Sequence, residues 1–459
     1  MEQQKQQNDV VVVMVPLPLQ GHLNQLLHLT RIISTRGIPV HSIGSATHNR
    51  QAKDRVHGWE PSTTSNIHFH DIQLPAVNTP PPDPSNRFPP HILPTLEATF
   101  HIREPLGVLL RELSSSARRV VVVHDSLVGF AAEEASFVSN AEAYGFIPCS
   151  AFSLLHAIWG FIGESEREEV SKLPKDILRV TFEDTHPDGF YEFSIRNSQY
   201  MRFTSGDILD TCDAIDRTFI DALAAAGFAK KNWAIGPFNP VAVESVGGPC
   251  HPCLEWLDKQ PPSSVIYVSF GTLTSVSDEQ ITELAIGLES SEHRFIWVLR
   301  DADRGNIYEG EVRKPQLPEG FEERVKVGMI VRDWAPQLQI LAHPSTGGFM
   351  SHCGWNSCME SLSMGVPIAA WPMMFDQPGN ALLITDVLEA GLQVREWARR
   401  GEVIPSASIE SSIRKLMALD KGNMMRKRAK EVAIDIRRAV SDDGTSTTQL
   451  ESFLTHISR

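Results

Sequence analysis

Hydrophobic residues along this chain gather in short unbroken runs, and the stretches between them carry apolar positions at helical spacing. Val10–Val15 is one such run, of the kind produced by a strand covered on both faces. From His22 to Arg36 the spacing changes. Leu23, Leu26, Leu27 and Ile33 share one helical face, and Gly37 stops the helix. Val40–Ile43 follows as the next strand and completes a βαβ unit. Ile67–Ile72 and Val120–His124 read as further strands. A second series begins at Val265–Phe270 and continues with Phe295–Leu299, Met329–Val331, Gly348–Met350 and Ile368–Trp371. Helical patterns such as Glu279–Glu289 and Pro378–Glu389 separate these runs. Strands alternating with helices predict an α/β protein with parallel sheets.

The proline-dense stretch Pro75–Pro94 predicts a surface or binding loop. Gly and Pro without periodicity over Pro237–Pro252 predict the linker. The division is then an N-terminal domain of residues 1–244 and a C-terminal domain of residues 245–459. The last helix, near Thr445–Ile457, is free to pack back on the first domain. Two open parallel sheets imply a cleft whose ligands bind at the carboxyl edges of the strands, so the loops after the strands are the place to search.

Composition narrows the function. The 459 residues, 42% hydrophobic and 21% charged, have the balance of a globular protein. No apolar run approaches the ~18 residues of a membrane span, and the polar start MEQQKQQND lacks a signal-peptide pattern, which predicts a cytoplasmic location. The net charge of −14 argues against a nucleic-acid partner. An anionic small molecule would have to be held by local backbone N–H groups and helix ends, not by the field of the whole protein. Cys250-His-Pro-Cys253 has the CxxC spacing, but no second ligand pair stands at zinc-site spacing, so no metal is expected.

The segment Trp334 to Gln377 is the densest in chemistry: WAPQLQILAHPSTGGFMSHCGWNSCMESLSMGVPIAAWPMMFDQ. It holds a strand (GGFM), a polar turn from Ser351 to Ser357, and a helix. Gly354 permits close backbone approach, and Asn356 and Ser357 can cap the helix or donate to a phosphate oxygen. An ordinary capped helix explains the same residues. The segment resembles the signature box of the plant family of UDP-dependent glycosyltransferases acting on small secondary metabolites and hormones. It begins with Trp, ends with Gln, and carries HCGWNS and DQ at the family's offsets. Gln20-Gly21-His22 and Ser269-Phe270-Gly271-Thr272 extend the resemblance to the rest of the chain.

The resemblance implies the GT-B fold, two Rossmann-like domains facing across a cleft, with acceptors mainly on the first and the nucleotide sugar mainly on the second. It implies that Trp334 stacks on uracil, with the Ala335 backbone and Gln337 on the base and ribose side. Glu360 would accept from the ribose hydroxyls. His352, Asn356, Ser357 and Thr272 would hold the phosphates. Trp355 would shape the sugar pocket, and Asp376 and Gln377 would bond the glucose hydroxyls. UDP-glucose enters as co-substrate, with no cofactor and no metal.

His22 stands just after the first strand, where the helix N-terminus disfavours the imidazolium and keeps a neutral base. Asp125 directly follows strand Val120–His124, and a carboxylate beside a histidine fixes its tautomer and stabilises the cation it forms. The resemblance implies the same dyad, in an inverting displacement. Many family members continue the histidine motif with Asn-Pro. Here Gln25 stands in place of the proline, which points to a subgroup. QGHLNQLLHL, SNIHFHDIQLP and VVVHDSLV resemble the zeatin O-glucosyltransferase group, which implies a hydroxylated cytokinin as acceptor. Flavonoids or other phenolics, and UDP-xylose as donor, are the alternatives. An inactive nucleotide-binding protein is disfavoured by the presence of His22, Asp125, Asp376 and Gln377. A dinucleotide oxidoreductase is disfavoured because no G-x-G-x-x-G follows the first strand.

Overall fold

The structure, a computed structural model, describes residues 8–56, 59, 61, 64–75, 87–159, 183–227, 230–243, 251–272, 276–300 and 313–459. Two parallel sheets organise it. The first has seven strands in the order β3-β2-β1-β4-β5-β6-β7. They are β1 (Asn8–Val15), β2 (Val40–Ser45), β3 (Ile67–Ile72), β4 (Ala117–Asp125), β5 (Ala141–Ile147), β6 (Thr204–Leu209) and β7 (Asn232–Ala234). The second has six strands in the order β10-β9-β8-β11-β12-β13. These are β8 (Val265–Ser269), β9 (Arg294–Val298), β10 (Gly328–Val331), β11 (Thr346–Ser351), β12 (Ile368–Ala370) and β13 (Gly391–Gln393). Both orders reverse direction beside their first strand, so each sheet has one switch point, β1/β4 in the first and β8/β11 in the second.

The unbroken apolar runs follow from burial on both faces. In β1, Val11, Val13 and Val15 enter one core cluster while Val10, Val12 and Met14 enter another on the opposite face. In β8, Ile266 and Val268 part from Val265 and Tyr267 in the same way. Side chains alternate across a strand, so a strand covered by helices on both sides needs apolar residues at every position.

The expected β1–α–β2 unit is present, with its helix at Gln20–Ser34 and Gly37 in the left-handed region at φ 80°. Two expectations differ from the structure. Helix Ile92–Ala98 occupies the end of the proline-dense stretch, with Pro94 in its first turn, where a missing N–H costs no helical bond. Residues 76–86 of that stretch lie outside the described residues. The run Pro378–Glu389 is not one regular helix: Gln377–Leu382 is α-helical and Leu383–Val387 widens into a π-helical turn. The proposed boundary at 244/245 and Cys250 also lie outside the described residues. Cys253 is buried at the start of helix Pro252–Leu257.

The two halves share a hydrophobic cluster. Phe152, Ile215, Phe219 and Leu223 from the first meet Trp355, Met359, Leu362, Ile384 and Val432 from the second. The final helix, Thr445–Ile457, returns to the first sheet. Its Phe453, Leu454 and Ile457 join the cluster containing Val12, Tyr144 and Trp233, and Ser446 Oγ donates to the Gly236 carbonyl at 2.7 Å. Among the described residues no helix is long and apolar enough to cross a membrane.

Candidate active site

The two strands that flank the first switch point each deliver one member of a polar pair. Helix Gln20–Ser34, which follows β1, carries His22 in its first turn, and β4 ends on Asp125. His22 Nδ1 lies 2.6 Å from Asp125 Oδ2. Asp125 is fully buried, whereas the His22 side chain is 23% exposed. The other carboxylate oxygen accepts from the Leu127 backbone N–H at 3.0 Å, which locks the carboxylate plane. Because the carboxylate accepts, Nδ1 carries the hydrogen and Nε2 is left as the proton acceptor of the neutral ring.

The electrostatics of His22 correct one step of the sequence argument. Burial pulls its pKa down, but the charge and hydrogen bond of Asp125 and the charge of Asp376 outweigh it and leave the pKa raised above 6.5. The neighbouring carboxylates therefore raise its basicity against the pull of burial. His124 has a structural place. It is fully buried with Nδ1 donating to the Asp125 carbonyl at 2.8 Å, and burial lowers its pKa.

The second switch point faces this pair. After β8 the chain turns through Gly271, at φ 78°, and a Cβ there would lie 2.5 Å from His352 Nε2. After β11, His352 fits between Gly271 and Gly354, where a Cβ would again meet Nε2 at 2.5 Å. These two glycines let the backbone close around the imidazole. Burial and the nearby Arg300 charge lower the His352 pKa to about 4, so the ring is neutral, and its buried Nδ1 has no hydrogen-bond partner among the described residues. Thr272 is exposed at the same edge.

Helix Trp355–Met364 starts here. Asn356 Nδ2 donates to the Gly21 carbonyl at 2.7 Å, tying this turn to the residue before His22. Gln337 is a hub: its Nε2 donates to Ser357 Oγ at 3.0 Å and Glu360 Oε2 at 2.7 Å, and its Oε1 accepts from Tyr267 OH at 3.3 Å. Burial raises Glu360 to about 7. Trp334 is half-buried, with the Arg55 guanidinium 4.7 Å and the Arg300 guanidinium 5.7 Å from its ring centre. Ala335 is buried beside it.

Asp376 is drawn to His22 electrostatically across the cleft and accepts from Asn380 Nδ2 at 2.7 Å; burial raises it to about 6. Gln377 uses its Oε1 on the backbone N–H groups of Met373 and Met374, at 2.8 and 2.9 Å, so its NH2 group is the end that can reach a sugar.

The thirteen residues singled out from the sequence thus gather at the carboxyl edges of the two sheets. Asp125 ends β4, Glu360 lies in the second turn of helix Trp355–Met364, and the others stand on the loops and helix starts. One of them is reoriented. The Trp355 indole points away from the cleft edge into the core shared by the halves, and its Nε1 donates to the Asp210 carbonyl at 2.6 Å. Arg300 and Asn380 were not singled out from the sequence, and Gln20 was named only within the Gln20-Gly21-His22 motif, without its partner. Arg300 was findable, because it is the first charged residue beyond the FIWVL run, at a strand's carboxyl edge. Asn380 and Gln20 act through partners far away in the chain: Asn380 accepts from Ser150 Oγ and Ser153 Oγ, and Gln20 Oε1 accepts from Gln51 Nε2 at 2.7 Å. Among the described residues no group of His, Cys, Asp and Glu is arranged to hold a metal ion.

Comparison with known proteins matches this layout half by half. The family described as "Glycosyltransferase, N-terminal domain" matches residues 8–240. The family described as "UDP-glucoronosyl and UDP-glucosyl transferase" matches residues 243–427. This chain belongs to the UDP-glycosyltransferase family. The chain is 48% identical to a zeatin O-glucosyltransferase of Phaseolus lunatus, over 98% of this chain and 97% of the relative. It is 47% identical to a zeatin O-xylosyltransferase of Phaseolus vulgaris, over 98% of each. A transferase from Siraitia grosvenorii solved with UDP superposes with a TM-score of 0.76 at 28% identity, covering 98% of this chain and 100% of that one. The fold is therefore GT-B, and the enzyme is a glycosyltransferase with a UDP-sugar as donor.

Proposed function

We propose that this glycosyltransferase moves glucose from UDP-glucose onto a side-chain hydroxyl of a hydroxylated cytokinin such as zeatin, with inversion at the sugar carbon. One observation carries the mechanism: His22 Nδ1 is held at 2.6 Å by a buried carboxylate, directly across from the Trp334–Gln377 box. The acceptor hydroxyl gives its proton to His22 Nε2 while its oxygen bonds to C1 of the sugar. The C1–O bond to the diphosphate breaks, and UDP leaves with that electron pair. Asp125 keeps Nδ1 protonated and stabilises the imidazolium.

On this reading Trp334 stacks on uracil, with the Ala335 backbone and Gln337 beside the base and ribose, and Glu360 accepts from the ribose hydroxyls. His352, Asn356, Ser357 and Thr272 hold the phosphates, and no metal is assigned. The neutral His352 ring has a buried nitrogen in want of a partner, and Asn356 and Ser357 open a helix, where backbone N–H groups favour an anion. Asp376 and the Gln377 NH2 group bond the glucose hydroxyls, while Trp355 supports the sugar pocket from behind. The catalysis takes place in the cytoplasm.

The acceptor rests on the relatives' names, 48% and 47% identical, which also support UDP-xylose as a second donor reading. Initial rates with UDP-glucose, UDP-xylose and UDP-galactose, each against trans-zeatin and a panel of phenols, test both parts. The expected result is a β-O-glucoside of zeatin formed faster than any phenol product. Turnover confined to phenols would overturn the acceptor, and faster transfer from UDP-xylose would overturn the donor.

A further inference from the structure

Arg300 lies two residues beyond the end of β9, at the carboxyl edge of the second sheet. Its guanidinium stands 5.7 Å from the ring centre of Trp334, and its Nη2 donates to the carbonyl of Gly271. Gly271 in turn abuts His352. The cation therefore spans the gap between the indole and the glycine-framed histidine. It is largely withdrawn from water, which pulls its pKa below the usual arginine value.

Among the described residues, no carboxylate lies within ion-pair reach of Arg300. Elsewhere the arginines of this acidic chain find carboxylates readily, as Arg103 does with Glu133 and Glu134 and Arg324 does with Glu289. A charge taken out of water without a partner is strongly unfavourable. One backbone carbonyl engages only part of a guanidinium's donor fork, and the remaining N–H groups suit two oxygens of one anion. A net charge of −14 would supply a carboxylate cheaply if the position needed only internal neutralisation. The arrangement fits an anion that arrives from outside.

We propose that Arg300 binds the diphosphate of the UDP-sugar, bridging the base platform at Trp334 and the phosphate turn at His352. This inference rests on the donor-site reading above. The diphosphate gains negative charge as the C1–O bond breaks, and a guanidinium already positioned beside it answers the developing charge more strongly than the ground-state charge. Arg300 therefore serves turnover as well as binding. The alternative is that the guanidinium only props the indole.

Calorimetry on the full chain separates the two, using UDP, uridine and inorganic pyrophosphate as ligands and comparing the parent with Arg300→Gln, Arg300→Lys and Trp334→Ala. Arg300→Gln keeps a donor for the Gly271 carbonyl without the charge. It is expected to weaken UDP by about 30-fold or more while changing uridine by less than about threefold. Pyrophosphate should compete with UDP on the parent and lose most of that competition on Arg300→Gln. Arg300→Lys should lie between, because it keeps a charge but not the fork. Trp334→Ala should weaken uridine and UDP alike. UDP affinity of Arg300→Gln within twofold of the parent overturns the inference. So does a loss for uridine as large as for UDP, which would make Arg300 a prop for the indole. If Arg300→Gln does not fold, Arg300→Lys decides on the same two ligands, expecting UDP weakened about three- to tenfold with uridine unchanged. Failure of the parent itself to bind UDP would sink the donor-site reading, a different outcome from either.

Discussion

At the scale of single residues, the Nδ1 of His22 is taken by Asp125, and only Nε2 can accept a proton. Two carboxylates facing the ring favour its charged form, so its pKa lies above 6.5. A general base works only when neutral. The acidic limb of kcat/KM should therefore have its midpoint above pH 6.5, with activity falling as pH drops through it. Asp125→Asn removes the larger of the two favourable charges and leaves burial to pull the other way, so its midpoint should move down. A pH-rate profile whose acidic limb is the same in both enzymes would contradict the assignment. His22→Ala should lower kcat by about 10²–10⁴-fold with UDP affinity nearly intact.

Gln377 invites a second residue-scale prediction. Its Oε1 braces the backbone of Met373 and Met374, which leaves the NH2 group for the sugar. Gln377→Glu keeps the two bracing bonds and removes the donor. Glucose transfer should fall roughly 10- to 100-fold in kcat/KM, the cost of one lost buried hydrogen bond with its unpaired partner, while Tm changes little. A large fall in Tm with unchanged turnover would show that Gln377 serves the loop alone. UDP-glucose should outperform UDP-galactose by at least about tenfold, since the two differ only in the orientation of the C4 hydroxyl.

At the scale of elements, the cleft depends on how two helix starts are pinned across it. Helix Trp355–Met364 is fixed to the first half by Trp355 Nε1 on the Asp210 carbonyl and by Asn356 on the Gly21 carbonyl. Helix Gln377–Leu382 is fixed by Asn380 on Ser150 and Ser153. Gly379 makes this approach possible, because a Cβ there would sit 2.5 Å from Ser153 Oγ. Trp355→Phe keeps most of the apolar volume but leaves a buried carbonyl unpaired, which costs about 1–3 kcal/mol. The expected result is a lower Tm with the donor KM changed only slightly; an unchanged Tm would mean that the joint does not depend on this bond.

This scale also shows what the sequence made legible. Strands such as β1 and β8 announce themselves, because a strand covered on both faces is apolar at every position. The helix Thr445–Ile457 was readable to its ends. β6 and β7 were not, because TSGDIL and NWA lack both a run and a period. The pairing of His22 with Asp125 was inferable from two strand ends lying at one switch point. The partners of Asn380 were not, because nothing local marks a contact made 230 residues away. The orientation of Trp355 also escaped, since an indole beside a glycine reads equally as a pocket wall or as core.

At the scale of the whole molecule, the buried ionisable groups set how stability follows pH. Burial raises Asp207 to about 7, Asp216 to about 6, Glu360 to about 7 and Asp376 to about 6. Asp210 is raised well above its usual value by the same cause. A carboxyl whose pKa is higher folded than unfolded binds more protons in the native state, so its contribution is complete below about pH 4 and is lost as pH rises through its folded value. The buried histidines act in the opposite sense. Burial lowers His41, His48 and His352 to about 4, so the unfolded chain binds more protons below pH 6.5 and stability falls as pH drops from 6.5 toward 4. Burial also lowers His70, His124 and His456, so between pH 4 and 6.5 the histidines and the carboxyls pull in opposite directions and the net slope is small. Above pH 6.5 the histidine contribution has saturated, while Glu360 and Asp207 are still losing theirs, and His22, whose pKa is raised, begins to lose its own. Thermal unfolding of the unliganded protein should accordingly give a Tm that is broad and flat on the acidic side of neutrality and declines from about pH 6.5 to pH 8. Asp207→Asn tests the origin of the decline, because it keeps the shape of a group whose two oxygens lack hydrogen-bond partners among the described residues and removes its titration. The variant's Tm should fall less steeply over that interval than the parent's. A Tm that rises from pH 6.5 to 8 in the parent would mean that the buried carboxyls are already ionised in the native state.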